Sequence, residues 1–292
     1  MSRRYDCSEP MERTRGIADA VSAVRRGELI VLPTDTVYGV GADAFTPPAV
    51  TALLDAKGRG REMPPPVLVG SVRAATALVE DLGTYGQDLI DEFWPGALTL
   101  VCRANQSLLW DLGETKGTVA IRMPMHELTV ELLKETGPLA VSSANLSGRP
   151  AARSAADAES MLGDSVSVYL NGGRSAHGDP STIVDLTGAV PRLLRAGAIP
   201  EDKIRSVVGV LLTDEDEIEA EDKAGDEDGA GELAATPATP PVEPAEPVKA
   251  EPQAEAEGES EGEGQDAVKP SLVKGAASAD KPSLSKDEPT AG

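Results

Sequence analysis

The chain of 292 residues carries 27 lysines and arginines against 49 acidic residues, a formal net charge of −22, a balance that argues against a general polyanion binder. The charge is uneven: residues 213–292 hold 23 acids and six lysines, so that stretch carries −17 and residues 1–212 only −5. Two cysteines, Cys7 and Cys102, make neither a disulfide framework nor a metal site, and no apolar run approaches membrane-spanning length.

All eight aromatic residues precede residue 213, and the C-terminal stretch beyond them is rich in Pro, Ala, Glu and Gly, as in "PPVEPAEPVKAEPQAEAEGESEGEG". Such a composition cannot bury enough apolar surface to offset its chain entropy, so one folded domain over 1–212 and a disordered acidic tail over 213–292 are expected. Arg3 and Arg4 precede no apolar segment of the signal-peptide kind, so a cytoplasmic location is expected.

Ile17, Val21 and Val24 recur at helical spacing, and Gly27 stands where a left-handed residue would end that helix. "LIVL" reads as a strand running into Pro33 and the polar turn "TDT". Thr46-Pro47 reads as a helix start, with Val50, Leu53 and Leu54 as the buried stripe up to Lys57-Gly58. "PVLVG" is strand-like, and a helical region comes next, from Val72 through Phe93, with Gly83 or Gly86 as a break. "ALTLVCR", "GTVAIRMP" and "GPLAVSS" read as strands, with a helix around "LTVELLKE" between the last two. Ser154 would cap a helix over "AADAESML"; "VSVYL", "STIVDLT" and "PRLLRA" are late strands, and "EDKIRSVVGVLL" is a last helix. The irregular alternation predicts an α/β (α+β) fold with a mixed, twisted sheet.

The loops carry the chemistry. "AKGRGRE" puts Lys57, Arg59 and Arg61 within five residues; basic residues at a helix end offset its dipole, which explains Lys57 well and Arg59 poorly. A bound phosphate or carboxylate is the other reading. "VSSANLSG", "PTDTVYG" and "GGRSAHGDPSTIVD" each run from or into a strand through small hydroxyl residues. Singly these are turn formers; together they suggest one cleft that orients a ligand through uncharged donors. Arg122 and Arg195 interrupt apolar strands. Ordinary alternation would send them to solvent, whereas a cleft would make them anion clamps. There is no P-loop, "YGVGAD" lacks the third glycine of a dinucleotide fingerprint, and His126 and His177 have no partners at metal-ligand spacing. A Ser-His-Asp triad would have to draw on one of those two histidines.

In this order "PTDTVYGVGADA", "AKGR", "FWPGALTLV", "TVAIRMP", "SSANLSGRP" and "STIVDLTG…RLLRAG" resemble the YrdC/Sua5 family of L-threonylcarbamoyladenylate synthases, over roughly residues 16–212. The resemblance implies a single YrdC-like domain of the short form with an acidic tail appended. It implies formation of threonylcarbamoyl-AMP and pyrophosphate from L-threonine, bicarbonate and ATP, for N6-threonylcarbamoyladenosine at position 37 of tRNA. It assigns Lys57, Arg59, Ser143 and Asn145 to catalysis around the phosphates and carbamate. Thr36, Arg122, Ser142 and Ser181 match positions that hold L-threonine; Lys57, Arg59, Thr118, Ala144 and Arg195 match ATP positions; Tyr38 would be a packing wall. Mg2+ is implied with ATP, without a protein cage. A downstream tRNA threonylcarbamoyl-transferase complex and weak RNA contact are the implied macromolecular partners, with no membrane. The chain departs from the family pattern in Gly60, which replaces the proline of K-x-R-P, in "PPPVLVG", which has no histidine where many members read "PLIVH", and in "RAG" for "RPG". The rival reading is an RNA-binding or ribosome-assembly module that sets Lys57, Arg59 and Arg61 on a phosphodiester backbone; a net-negative domain without a basic stripe speaks against it.

Overall fold

The computed structural model describes residues 2–175 and 178–213; His177 and, beyond Thr213, the expected tail lie outside the described residues. Within them the chain forms a ten-stranded mixed sheet flanked by helices, in the order β1-β8-β2-β3-β7-β4-β6-β5-β9-β10. Strand β1 (Arg3–Asp6) leads into α1 (Pro10–Arg25), which buries Ile17, Ala20, Val21 and Val24. Pro10 opens this helix where no N–H is needed, and Gly27 leaves it at φ 77°. Strands β2 (Ile30–Leu32) and β3 (Gly39–Asp43) then pair antiparallel across the Pro33–Tyr38 turn.

Helix α2 (Pro47–Lys57) ends at Gly58, left-handed at φ 61°. Thr46 precedes it, but its hydroxyl donates to Asp43 Oδ2 at 2.7 Å instead of capping the helix. β4 (Val67–Leu68), α3 (Val72–Leu78) and α4 (Gly83–Phe93) come next, then β5 (Leu98–Arg103), β6 (Thr118–Arg122), α5 (Glu127–Thr136) and β7 (Leu139–Ser143). Helix α6 (Ala155–Leu162) is capped as expected, Ser154 Oγ accepting from Asp157 N at 3.1 Å. β8 (Val168–Asn171), β9 (Thr182–Asp185), β10 (Arg192–Arg195) and α7 (Glu201–Val208) complete the fold.

Alternation along the central strands divides the core. Ile30 and Leu32 meet Val21, Val24, Leu128 and Leu132 of α1 and α5 on one face, while Val31 and Val40 join the larger cluster containing Leu53, Leu89 and Ile204 on the other.

Four features differ from the sequence expectation. β1 has no local signal, because "RRYD" is an exposed edge strand without alternation; it is held by parallel pairing to β8. "GVGAD", to which no element was assigned, is a strand: a Cβ on Gly39 would lie 2.5 Å from Val141 Cγ1, so the glycine answers close packing on β7. The region from Val72 to Phe93 is two helices, parted where extended Val79 bridges to Ala104. The last helix stops at Val208, and Leu212 bridges to Arg192 instead of continuing it.

Candidate active site

A cavity of about 610 Å³ lies over β5, β6, β9 and β10, walled by the β2–β3 turn, the end of β7 and the loops 59–66 and 111–118; its volume is that of an ordinary small-molecule site. Alternate residues of the strands line it: Thr99 and Val101 from β5, Thr118, Ala120 and Arg122 from β6, Ile183 from β9. Arg122 thus obeys alternation, on the same face as Thr118, but that face is overhung by the turns, and Arg122 itself is buried. Arg195 arrives differently. The β9–β10 register shifts between Leu193 and Arg195, so that Arg195 pairs opposite Ile183 on the cavity face; such a bulge re-aims a side chain.

At one end Arg122, 6% exposed, is held by three bonds: Nε to Gly96 O at 2.9 Å, Nη1 to Thr36 Oγ1 at 3.0 Å and Nη2 to Asp35 Oδ1 at 2.7 Å. Asp35 Oδ1 also accepts from Met125 N at 2.9 Å. Thr34 Oγ1 accepts from Thr36 N at 3.2 Å, which closes the turn around the ion pair. Five guanidinium N–H groups less these three leave one on each terminal nitrogen, donors that anionic oxygens can take. Burial pulls the Arg122 pKa down although Asp35 opposes it. Arg195 is lowered by burial and then by the charge of Arg122. Tyr38 is fully buried on the wall; its hydroxyl donates to Gly173 O and accepts from Gly172 N, and burial pushes its pKa up to about 12.

At the other end Arg59 Nη1 donates to Ser142 Oγ at 3.3 Å, while its buried Nε has no partner among the described residues. Thr118 donates to Thr115 O at 2.8 Å. Among the described residues no aspartate or glutamate lines the cavity, whereas Arg59, Arg122 and Arg195 do. The lining therefore suits an anionic ligand.

Of the residues singled out in the sequence, Thr36, Arg59, Thr118, Arg122, Ser142, Ser143, Ser181 and Arg195 are brought together on this lining; Lys57, Ala144 and Asn145 stand behind it. Lys57 is 1% exposed, and its ammonium donates to Ser143 O and to Asn145 O, the latter at 2.7 Å. It ties the end of α2 to the turn that carries Ser143, and burial, then the charge of Arg59, lowers its pKa to about 8. The Ala144 amide donates to Tyr38 O at 2.7 Å. Asn145 Nδ2 donates to Leu146 O and Arg149 O, at 2.9 and 2.6 Å, which fastens the same turn.

The expected triple cation cluster does not form: Lys57 turns inward, Arg59 faces the cavity, and exposed Arg61 pairs with Asp111 at 2.7 Å. Burial separates them because each finds its counter-charge or acceptor in a different direction. His126, the histidine among the described residues, does not line the cavity and so builds no triad there. The motifs gave no role to Asp35 or Thr99. A hydroxyl within the apolar strand "ALTLVCR" was the available signal for the second.

The loops 59–66 and 111–118 are joined over the cavity. Glu114 N donates to Arg61 O at 2.8 Å, and Asp111 Oδ1, besides pairing with Arg61, accepts from Gly113 N at 3.1 Å. Gly113 has φ 108°, and a Cβ there would lie 2.6 Å from Arg61 O. Gly113→Ala is expected to part the loops, read as faster tryptic cleavage after Arg59 and Arg61 than in the unmodified chain. Unchanged cleavage would mean that other contacts hold them.

Comparison with known proteins places these features in context. The Sua5/YciO/YrdC family, whose description is "Telomere recombination", matches residues 22–197. A Mycobacterium tuberculosis protein named "Putative threonylcarbamoyl-AMP synthase" is 54% identical over 210 residues, 72% of this chain and 97% of that protein. The Bacillus subtilis threonylcarbamoyl-AMP synthase is 36% identical over 201 residues, 68% of this chain and 58% of that protein. A crystal structure of Pyrococcus abyssi Sua5 complexed with L-threonine superposes with a TM-score of 0.66 at 32% identity, covering 73% of this chain and 62% of that one. The chain thus spans less than two thirds of the length of the last two.

Proposed function

The chain belongs to the Sua5/YciO/YrdC family, and from that premise we propose that it is a threonylcarbamoyl-AMP synthase that makes the intermediate for N6-threonylcarbamoyladenosine in tRNA. The observation that carries this reading is a cavity lined, among the described residues, by three arginines and many hydroxyls and by no carboxylate, in a relative of proteins named for that product.

The chemistry asks little covalent help from the protein. The amine of L-threonine adds to bicarbonate with loss of water to give a carbamate; a carbamate oxygen attacks the α-phosphorus of ATP and pyrophosphate leaves. What has to be supplied is alignment of two anionic reactants and stabilisation of charge on the transferring group. In this proposal the two free N–H groups of Arg122 take the threonine carboxylate, with Thr36, Ser142 and Ser181 around it. Arg59, Thr118 and Arg195 face ATP, and Ser143 stands where carbamate and phosphate meet. Lys57, Ala144 and Asn145 hold the Ser142–Ser143 turn in place from behind.

Among the described residues the donor set of this cavity does not fit a resident divalent cation: no carboxylate lines it, and no three His, Cys, Asp or Glu side chains are grouped to hold one. Mg2+ would therefore enter as part of the nucleotide substrate. The product would pass to a separate tRNA threonylcarbamoyl-transferase complex. No helix among the described residues is long and apolar enough to cross a membrane. An RNA-binding role finds no support, since Lys57, Arg59 and Arg61 share no face.

The test is pyrophosphate release from ATP with Mg2+ and bicarbonate, with L-threonine, L-serine or no amino acid, while the acyl-adenylate is tracked by mass spectrometry. Release that depends on threonine and bicarbonate, with the matching adduct, is expected. A folded protein that yields neither would overturn the proposal.

A further inference from the structure

Thr99 lies within "FWPGALTLV" but carries none of the roles that the resemblance assigns, yet it is built into the cavity wall. It is 2% exposed, and its Oγ1 stands 2.8 Å from Ser181 Oγ, the hydrogen bond of that hydroxyl among the described residues. Ser181, 6% exposed, also accepts from Arg195: Nη2 donates to its Oγ at 2.9 Å, and Nε and Nη2 donate to its carbonyl at 3.0 and 2.7 Å. The parallel pairing of β5 with β9, which sets Thr99 beside Ile183, brings these side chains together.

A hydroxyl has one proton and two lone pairs. Arg195 can only donate, so it fills one lone pair of Ser181 Oγ and leaves two arrangements. If Ser181 donates to Thr99, its proton is spent inside the wall and the cavity meets a lone pair, which repels an anionic oxygen. If Thr99 donates to Ser181, both lone pairs are filled and the Ser181 O–H is left to donate into the cavity. Arginines and, among the described residues, no carboxylate line the cavity, so it suits an anionic ligand, whose charge would select the second arrangement.

We propose that Thr99 is a positioning residue for substrate: by donating to Ser181 Oγ it turns the Ser181 O–H toward an anionic oxygen of the ligand, the carboxylate of L-threonine. The proposal rests on the synthase reading above. A phosphate oxygen of ATP offers the same acceptor chemistry, so the test varies the two substrates separately.

The experiment measures KM and kcat for pyrophosphate release by the full chain, first against L-threonine and then against ATP. Thr99→Val keeps the shape and removes the hydroxyl. It is expected to raise KM for L-threonine about threefold to tenfold, the range of one neutral hydrogen bond, with kcat and KM for ATP within about twofold. Thr99→Ser is expected to recover most of the loss. Because Thr99 acts through Ser181, the double variant Thr99→Val/Ser181→Ala should match Ser181→Ala alone, the signature of coupled residues. If Thr99→Val does not fold, Thr99→Ala takes its place in the cycle.

An unchanged KM for L-threonine in Thr99→Val, or effects of Thr99→Val and Ser181→Ala that simply multiply, would overturn the proposal. A rise confined to KM for ATP would overturn the threonine assignment. If the unmodified chain shows no threonine-dependent release at all, it is the synthase reading that fails, and the two failures are told apart.

Discussion

Arg122→Ala is expected to lower the melting temperature by roughly 10 °C and to abolish threonine-dependent turnover. Arg122 and Asp35 side chains are only 7% and 11% exposed and meet at 2.7 Å. Removing the cation leaves the carboxylate buried with the Met125 amide as its remaining partner among these groups. Breaking a buried pair from one side costs about 3–5 kcal/mol, and for a domain of this size each kcal/mol moves the melting temperature by about 2–4 °C. Thr36 and Gly96 O also lose their donor. The decisive control is the double variant Asp35→Asn/Arg122→Ala, which removes the stranded charge; it should melt above Arg122→Ala although it is further from the natural sequence. Arg122→Lys keeps the charge but cannot reproduce the planar fork; it should fold and show a raised KM for L-threonine. If Arg122→Ala melts with the unmodified chain, the ion pair does not hold this end of the cavity.

Lys57→Met is expected to cost about 10²-fold in turnover although the side chain does not line the cavity. The ammonium is what ties Ser143 O and Asn145 O to the end of α2; without it the turn carrying Ser142 and Ser143 can shift, and displacements of about 1 Å are enough for a loss of that size. The stability difference should also depend on pH in a defined direction. The folded-state pKa of Lys57 is about 8 against 10.5 for an unperturbed lysine, so between those values the unfolded chain binds more protons. Stability contributed at this position therefore rises with pH across that window. Below pH 8 the amine is charged in both states and the burial penalty is present in full; above 10.5 it is neutral in both and the penalty is gone. Thermal or denaturant melts of the unmodified chain and Lys57→Met, compared at about pH 7 and about pH 10, should show the gap widening by up to about 3 kcal/mol in favour of the lysine. A gap independent of pH would mean that the ammonium is not buried as described.

Most strands and helices were legible because their burial is periodic. Val21 and Val24 on α1, Leu53 and Leu54 on α2 and the alternation of β5 and β6 each declare a face locally. The elements that escaped are those whose reason lies elsewhere in the chain. β1 exists through β8, and β3 is a strand because its glycines admit the side chain of Val141.

The same division runs through the site. The order of hydroxyl-rich turns, the K-x-R and S-x-N pairs and the arginines within apolar strands were readable one by one, and with them the family and the kind of ligand. Alternation puts Arg122 on the face of Thr118, since a strand's pleat is a local property. Whether that face met water or a cavity was decided by loops 59–66 and 111–118 crossing it, a contact between segments some fifty residues apart. Tertiary packing also turned Lys57 and Asn145 onto backbone carbonyls and gave Asp35 and Thr99 partners that no spacing encodes. Residue type and local period determine what a side chain can do and which way its element faces; direction, burial and hydrogen-bond partner are properties of the folded neighbourhood, and only there did eight of the expected residues become one wall and three its support.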